Sequence, residues 1–379
     1  MNQPPHIAFF APIKPPDHPI PSGDRLIARN LVKALSMADF TVDIASEYIC
    51  YSKRSGNDYL QDRKSGALKE VDKLLREYDG LPPAELPKLW LTYHPYCKAP
   101  DWIGPAVSEA LGIPYVTVEA ARTGQGGPED EWKPWREEAQ AGIKQADRHL
   151  VFKPTDRAYL SELLGSQEKL LELKPFIDLE GLSEPTDQAV SLPENWDHNT
   201  PTLITTGMMR KGKKDRNFYM LAETLTQIQN VSWNLVIVGG GPEEDNIREA
   251  FSGINGERLH WTGQVTQAEV LSWMKLSDIF IWPGWKEPIG MVYLEAQLQS
   301  LPVIAYESMG VPLVVKHQKT GLLAPENDDE QMQANIIKLL KDKELRANMG
   351  SDAHKKVLNE HSLEAASSRL RQVLSDLIS

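Results

Sequence analysis

The sequence predicts an α/β protein with two lobes of similar size, and three observations carry that prediction. Short apolar segments alternate with segments of helical periodicity over most of the chain. Glycine-bearing loops follow several of the predicted strands, and a polar segment without periodicity interrupts the alternation near residues 179–200. Strand, glycine-bearing loop, helix and strand is the opening of a doubly wound unit. Two such lobes are expected to leave a cleft at the carboxyl ends of their strands.

The first lobe is predicted to cover residues 1–180. Its strands are expected at 6–11, 41–45, 88–93, 115–118 and 148–152. Its helices are expected to begin at Asp24 and to cover 104–111 and 129–146, and residues 53–76 are basic on helical spacing.

Residues 181–200 are predicted to form a linker, because they are polar and show no hydrophobic period. The second lobe is predicted at 201–360, with strands at 202–206, 234–238, 258–262, 279–282 and 302–306. Helices at about 216–229, 243–251, 266–275 and 290–299 alternate with them. Three helical stretches end the chain. The last, within 361–379, is expected to pack back on the first lobe.

Composition excludes several classes of protein. The 379 residues include 41 Lys and Arg against 53 Asp and Glu, a net charge of −12, which disfavours nucleic-acid binding. Cys50 and Cys97 are too few for a disulfide scaffold or a four-cysteine metal site and indicate a reducing compartment. No apolar run approaches the roughly 20 residues that span a bilayer. The expected location is cytoplasmic, with contact at the inner face of the membrane left open.

The segment from Gly207 to Lys214 carries a basic cluster after a predicted strand. It nearly matches a phosphate-binding P-loop, but Lys214 stands where a Ser or Thr would bind magnesium. Arg210 and its lysine neighbours suit a phosphate or diphosphate, although a solvated charged turn is the alternative. The later segment 238–242, with three glycines, lacks the full spacing of a dinucleotide fingerprint.

The segment WPGWKEPIGMVYLEAQLQSLPVIA, residues 282–305, contains two glutamates with seven residues between them. Glu287 is expected in a loop, residues 289–291 open a helix, and Glu295 lies one to two turns inside it. Free amides at a helix N-terminus favour an anionic group. The two carboxylates could accept hydrogen bonds from ligand hydroxyls, which suits a polyhydroxylated ligand carrying phosphate. Two surface glutamates on a helix are the alternative.

These segments resemble retaining glycosyltransferases with two Rossmann-like lobes, the GT-B fold, and especially family 4 with its E-x7-E region. The resemblance rests on residues 287–297 and 300–305 and extends to 207–214, 236–242, 261–265, 310–315 and 320–323. Residues 21–23, 93–94 and 174–178 fit more loosely. Two positions depart from the family pattern: Ser22–Gly23 stands for a Gly-Gly pair, and Glu119 replaces a frequent histidine.

The resemblance implies a donor site and a catalytic set. The implied donor-binding residues are Gly23, Arg210, Lys214, Gly239, Val265, Glu287, Ile289, Gly290, Met291 and Glu295. The implied catalytic residues are His94, Arg210, Lys214 and Glu287. In relatives Arg and Lys neutralise the diphosphate, the first glutamate holds the sugar, and the second holds the ribose. Gly239 and Val265 would flank the base, and the three residues opening the helix would offer backbone amides.

In such enzymes the acceptor attacks on the face from which the diphosphate leaves, and the leaving phosphate takes the acceptor's proton. The implied reaction is retaining and needs neither metal nor cofactor. Cations at the leaving group stabilise the transition state more than the ground state. His94 would lie near the reacting carbon and the acceptor, although a histidine that only hydrogen-bonds the backbone is the alternative.

The acceptor is left open between two classes. Seven basic residues within 53–76, with nearby tyrosines, suit an anionic membrane surface and favour a lipid acceptor such as diacylglycerol. A solvated helix face with a soluble sugar or polysaccharide precursor as acceptor is the alternative. The donor is expected to be a UDP-sugar by resemblance. A phosphorylase, an epimerase or a non-catalytic nucleotide-sugar-binding protein are the competing functions.

Overall fold

The computed structural model describes residues 4–20, 22–121, 130–181 and 190–378. The chain divides into two compact units, Met1–Lys174 together with Leu363–Ser379, and Pro175–Ser362. Of the positions used above, Pro21, residue 129 and residues 182–189 of the predicted linker lie outside the described residues. No helix in the described part of the chain is long and apolar enough to cross a membrane.

The first unit is a six-stranded parallel sheet with the order β2-β1-β3-β4-β5-β6. Its strands are β1 (His6–Phe10), β2 (Thr41–Ser46), β3 (Leu89–Tyr93), β4 (Tyr115–Val118), β5 (Arg148–Val151) and β6 (Leu170–Glu172). Its helices are α1 (Gly23–Met37), α2 (Asn57–Asp79), α3 (Ile103–Leu111), α4 (Lys133–Gln145), α5 (Pro154–Leu164) and α13 (Leu363–Leu374). The strand order reverses between β1 and β3, which makes that gap the switch point of the sheet.

The local sequence explains strand β3 and the start of helix α1, the two elements beside the switch point. Residues 89–93 are all buried because both faces of a parallel sheet are covered by helices, so the strand reads as one apolar run. The hydroxyl of Ser22 accepts the backbone N–H of Arg25 (3.3 Å) and caps the start of α1. Because β1 and β3 are parallel neighbours, the loops that follow them both begin at the switch point.

The second unit is also a six-stranded parallel sheet, with the order β12-β11-β10-β7-β8-β9. Its strands are β7 (Thr202–Thr206), β8 (Asn234–Val238), β9 (Leu259–Gly263), β10 (Ile279–Ile281), β11 (Val303–Tyr306) and β12 (Gly321–Ala324). Its helices are α6 (Lys213–Thr226), α7 (Glu244–Ala250), α8 (Gln267–Lys275), α9 (Met291–Leu298), α10 (Val311–Val314), α11 (Asp329–Lys341) and α12 (Lys343–Glu360). This is the doubly wound dinucleotide-fold order, with its switch point between β7 and β10.

The last helix belongs to the first unit, as the sequence predicts. Helix α13 packs along α1, and Arg371 forms an ion pair with Asp39 just after α1. The guanidinium of Arg148 holds Asp376 through two hydrogen bonds of 2.6 Å each. A bidentate arginine–carboxylate pair of this kind is geometrically specific as well as favourable.

The N-terminal segment of the first unit ends at Lys174, six residues before the expected boundary at 180. The reason is a pairing across the end of the second unit. The backbone N–H of Ile177 donates to the carbonyl of His361 (2.8 Å), and the imidazole Nδ1 of His361 lies 2.6 Å from the carbonyl oxygen of Pro175. Residues 175–178 are therefore held by the end of α12.

Candidate functional site

The switch point of the second unit brings two polar loops together. One loop follows β7 and leads into α6, and the other follows β10 and leads into α9. Because β7 and β10 are neighbours and parallel, their carboxyl ends lie side by side. The basic cluster at 207–214 and the glutamate loop at 283–290 come from these two ends.

Lys214 and Glu287 meet between these loops. The Nζ of Lys214 donates to Glu287 Oε2 at 2.8 Å, and it also lies 5.3 Å from the centre of the Trp282 ring. Both charged side chains are mostly buried, with 24% and 16% of their surface exposed. A charge pair in this setting is screened less than one on the open surface. The structure thus joins two residues that the sequence selected on separate motifs.

Asn217 holds the two loops in register, and the sequence analysis did not single it out. Its side-chain amide donates to the carbonyls of Lys213 (2.7 Å) and Trp285 (3.2 Å) and accepts the N–H of Trp285 (2.7 Å). The side chain is 1% exposed. The signal that the sequence offers is weak: an asparagine stands on helical spacing with apolar residues, and a polar side chain on an apolar face needs hydrogen-bond partners.

The other cations of this loop are exposed. Arg210, Lys211 and Lys213 lie at the surface, and Lys213 donates a hydrogen bond of 3.4 Å to the carbonyl of Lys286. Among the described residues no carboxylate pairs with Arg210. An exposed arginine beside a part-buried lysine can meet an anionic group with a planar fork and a point charge.

Gly239 is required by the backbone around it. Its φ is 126°, and a Cβ there would lie 2.1 Å from the carbonyl oxygen of Gly207. Its N–H donates to Gly263 (3.0 Å). Val265 is half-buried and packs against the core of the second unit. The role of Gly239 and Val265 beside a base stays a prediction, because close loop packing by itself explains the glycine.

Helix α9 begins where the glutamate loop ends. Gly290 is its N-cap with φ 71°, and Ile289 before it is buried. Within the described residues, the backbone N–H groups of Ile289, Gly290 and Met291 donate to no backbone carbonyl outside the helix. The first N–H groups of a helix have no partner within the helix and favour an anion or a hydroxyl oxygen.

Glu295 lies one turn inside α9 and is partly buried. Burial raises its pKa to about 7, against an opposing hydrogen bond from Gln267 at the start of α8. Carboxyl groups with a strongly perturbed pKa near a helix N-terminus are common at functional sites. The structure therefore gives Glu295 a feature that spacing alone could not show.

The switch point of the first unit carries His94 and Gly23. The imidazole Nδ1 of His94 lies 3.0 Å from Asp24 Oδ1 at the start of α1, and its ring stacks on Tyr96 with centroids 5.2 Å apart. A Cβ on Gly23 would meet no described atom within 4 Å. The fold itself thus does not demand glycine at this position, and close approach of a ligand remains the predicted reason for it.

Glu119 is the second functional candidate that the sequence did not select as a site residue. It follows β4 and is 3% exposed. Its carboxylate accepts hydrogen bonds from the Nζ of Lys153 (2.8 Å) and the hydroxyl of Tyr93 (3.1 Å). The only sequence signal was its departure from the family histidine.

Within the described ranges no three His, Cys, Asp or Glu side chains form a group that could hold a metal ion.

Comparison with known proteins supports a glycosyltransferase. Residues 190–356, less than half of the chain, match the family model described as "Glycosyl transferases group 1". An N-acetyl-alpha-D-glucosaminyl L-malate synthase of Bacillus anthracis is 31% identical over 152 residues, 40% of this chain and 39% of the relative. A GDP-mannose-dependent monoacylated alpha-(1-6)-phosphatidylinositol monomannoside mannosyltransferase of Corynebacterium glutamicum is 32% identical over 147 residues, 37% of this chain and 38% of the relative. The matched segments thus span less than half of the length of these relatives.

Solved structures match over nearly the whole chain. The Anabaena Alr3699/HepE protein in complex with UDP has a TM-score of 0.67 at 16% identity and covers 98% of this chain and 99% of its own. The two parallel six-stranded α/β units match glycosyltransferase structures with the GT-B fold, which confirms the predicted fold class. At this identity the likeness establishes the fold alone.

Proposed function

We propose that this protein is a retaining, metal-independent glycosyltransferase that moves a sugar from a nucleoside diphosphate sugar, a UDP-sugar, to a hydroxyl acceptor. One observation carries the proposal above the others. Lys214 and Glu287 meet at 2.8 Å at the switch point of the second unit, next to exposed Arg210 and the N-terminus of α9. Cations, a carboxylate and free amides at one sheet edge suit a diphosphate joined to a sugar.

The proposed chemistry assigns each group a separate task. Arg210 and Lys214 neutralise the charge that grows on the diphosphate as the bond to the sugar breaks. Because that charge is larger in the transition state, these cations lower the barrier rather than only tightening binding. Glu287 accepts hydrogen bonds from sugar hydroxyls, and its contact with Lys214 orients its carboxylate.

Glu295 is proposed to bind the ribose. A carboxylate accepts two hydrogen bonds from neighbouring hydroxyls, and Glu295 lies one turn below the amides at the start of α9. The Anabaena structure holds UDP, whereas the Corynebacterium relative is named for GDP-mannose, so GDP is the nucleotide that competes with the proposed UDP. Both nucleotides share the ribose and the diphosphate that the proposed residues contact.

A lipid is the acceptor class that we propose first, because the Corynebacterium relative is named for a phosphatidylinositol-based acceptor. The stretch 53–76 supports this less than its composition suggested. Lys64 pairs with Glu138 (2.8 Å), and Lys73 lies 3.6 Å from Glu70. The exposed charged residues of the stretch are five cations with three carboxylates among them: Lys53, Arg54, Lys69, Lys73, Arg76, Asp58, Asp62 and Asp72. A soluble sugar acceptor therefore stays a direct competitor.

The test begins with nucleotide binding, which needs no acceptor. Isothermal titration with UDP, GDP and UMP should show that the diphosphate and one base are both required. Mass spectrometry of products with UDP-sugars, in the presence of diacylglycerol vesicles or soluble sugars, then identifies the acceptor. Binding of no nucleoside diphosphate would contradict the proposal. Binding without hydrolysis or transfer in either arm would favour a non-catalytic nucleotide-sugar-binding protein.

A further inference from the structure

His94 and Glu119 occupy equivalent positions in the first unit. Each is the first residue after a strand, β3 or β4, and each has a left-handed backbone with φ of 58° and 55°. Such a conformation is strained for a residue with a Cβ, so the surroundings must hold it. Here the N–H of His94 donates to the carbonyl of Val118, and the N–H of Glu119 donates to that of Leu150, both at 2.8 Å. The sheet therefore fixes both residues at its carboxyl edge.

The carboxylate of Glu119 is buried and fully engaged. One oxygen accepts the hydroxyl of Tyr93, the other accepts the Nζ of Lys153, and that lysine also lies 3.0 Å from Asp156. The Glu119 side chain is only 4% exposed. A buried ion pair seldom adds much net stability, because the cost of removing both charges from water offsets their attraction. The arrangement therefore invites an explanation other than stability.

We propose that Glu119 is a positioning residue that acts through His94: its carboxylate, together with that of Asp24, holds the imidazole as a hydrogen-bond-donating cation at the switch point of the first unit. The contact of His94 with substrate rests on the proposed function, whereas its charge state does not. As a cation His94 can donate to an oxygen of donor or acceptor but cannot take a proton from the acceptor. That fits a reaction in which the leaving phosphate takes the proton.

The groups around His94 support this assignment in sign. Burial by itself lowers the pKa of His94, but the charge of Glu119 and the hydrogen bond to Asp24 outweigh burial, and the net pKa is raised. The same hydrogen bond holds the pKa of Asp24 below its usual value. Lys153 opposes the shift. The titratable and charged groups around His94 and its partners are Lys14, Asp24, Tyr93, Tyr96, Glu119, Lys153 and Asp156.

The experiment follows the titration of His94 by NMR in the full chain with labelled histidine, assigned with the His94→Gln variant. Glu119→Gln removes the charge and keeps one oxygen, which can accept from either Tyr93 or Lys153. The titration midpoint of His94 should then fall by about one pH unit, the usual scale for losing a nearby opposite charge. Glu138→Gln is the matched control, since it removes the carboxylate of another lysine pair in the same unit. It should leave the midpoint unchanged.

Two outcomes would overturn the proposal: a midpoint that does not move in Glu119→Gln, or an equal fall in Glu138→Gln. If Glu119→Gln does not fold, the double variant Glu119→Gln/Lys153→Met is compared with Lys153→Met alone. The titration midpoint of His94 must again be lower in the variant that lacks the Glu119 charge. No substrate is needed, so the result stands or falls independently of glycosyl transfer. Once a donor is known, Glu119→Gln should move the alkaline limb of the pH–kcat profile to lower pH, while KM for the donor changes little.

Discussion

Replacing Glu295 by glutamine should make the second unit more stable at high pH while weakening nucleotide binding. The carboxyl pKa is raised from 4.5 to about 7, mainly by burial. A group with a raised folded-state pKa favours folding below its unfolded pKa, and that advantage is lost as pH rises through the folded value. The free energy of unfolding of wild type should therefore decrease, because of this one carboxyl, as the pH rises from about 4.5 through about 7.

The size of the effect follows from the two pKa values. Their difference of about 2.5 corresponds to about 3 kcal/mol at 1.36 kcal/mol per pKa unit. Because the side chain is partly exposed, water screens part of the penalty, and about 1–3 kcal/mol is expected. Glu295→Gln removes the ionisation. The difference in free energy of unfolding between Glu295→Gln and wild type should therefore be larger at pH 8.5 than at pH 4.5 by that amount.

Denaturant unfolding of wild type and Glu295→Gln at pH 4.5 and 8.5, without nucleotide, measures this difference. Glu249→Gln, an exposed carboxylate on α7 of the same unit, is the control and should show no such pH-dependent gain. UDP affinity supplies a second measure, because a ribose needs the ionised carboxylate. With a pKa near 7, wild-type affinity should fall about tenfold more than that of Glu295→Gln between pH 8 and pH 6. A stability difference equal at both pH values would refute the reasoning.

Four further outcomes are expected. Arg210→Ala and Lys214→Ala should each weaken UDP binding by about 1.5–3 kcal/mol with the fold intact, as titration calorimetry and circular dichroism would show. Glu287→Gln should spare UDP binding and reduce turnover, since its proposed contact is to the sugar, and equal loss of UDP binding in Glu287→Gln and Glu295→Gln would contradict that division. Asn217→Asp should reduce kcat more than Asn217→Ala, because a carboxylate would face two carbonyl oxygens. Sedimentation with anionic vesicles through residues 53–76 should decrease as the salt concentration rises, and sedimentation that does not depend on salt would contradict an electrostatic contact.

The sequence predicted the alternation of both units well because buried parallel strands read as apolar runs. Residues 202–206 and 234–238 form strands with the expected ends. Each sheet nevertheless has a sixth strand that was missed. Strand β6 has three residues and β12 has four, beginning with glycine, so neither gives a period that can be distinguished from a turn.

The candidate site was predictable where charge clusters and glycines stand in short segments, and not where distant segments meet. Spacing selected Lys214 and Glu287 separately, but only the sheet order β7 beside β10 shows that they touch. Asn217 carries no motif, and its role exists only because Trp285 lies across from it. Burial of Glu295, which sets its pKa, likewise depends on packing that one-dimensional spacing does not contain.

Each unit has a contact between an acidic and a basic side chain at its switch point. In the second, Lys214 at the start of α6, which follows β7, meets Glu287 from the loop after β10. In the first, Asp24 after β1 meets His94 after β3. Each pair joins an acid to a base across the gap where the strand order reverses, so each holds together the two loops whose helices run to opposite faces of the sheet. A charge pair there orients side chains without filling the crevice. This explains why removing one member should affect turnover through the orientation of the other, and why double-variant measurements on each pair should give less than the sum of the single effects.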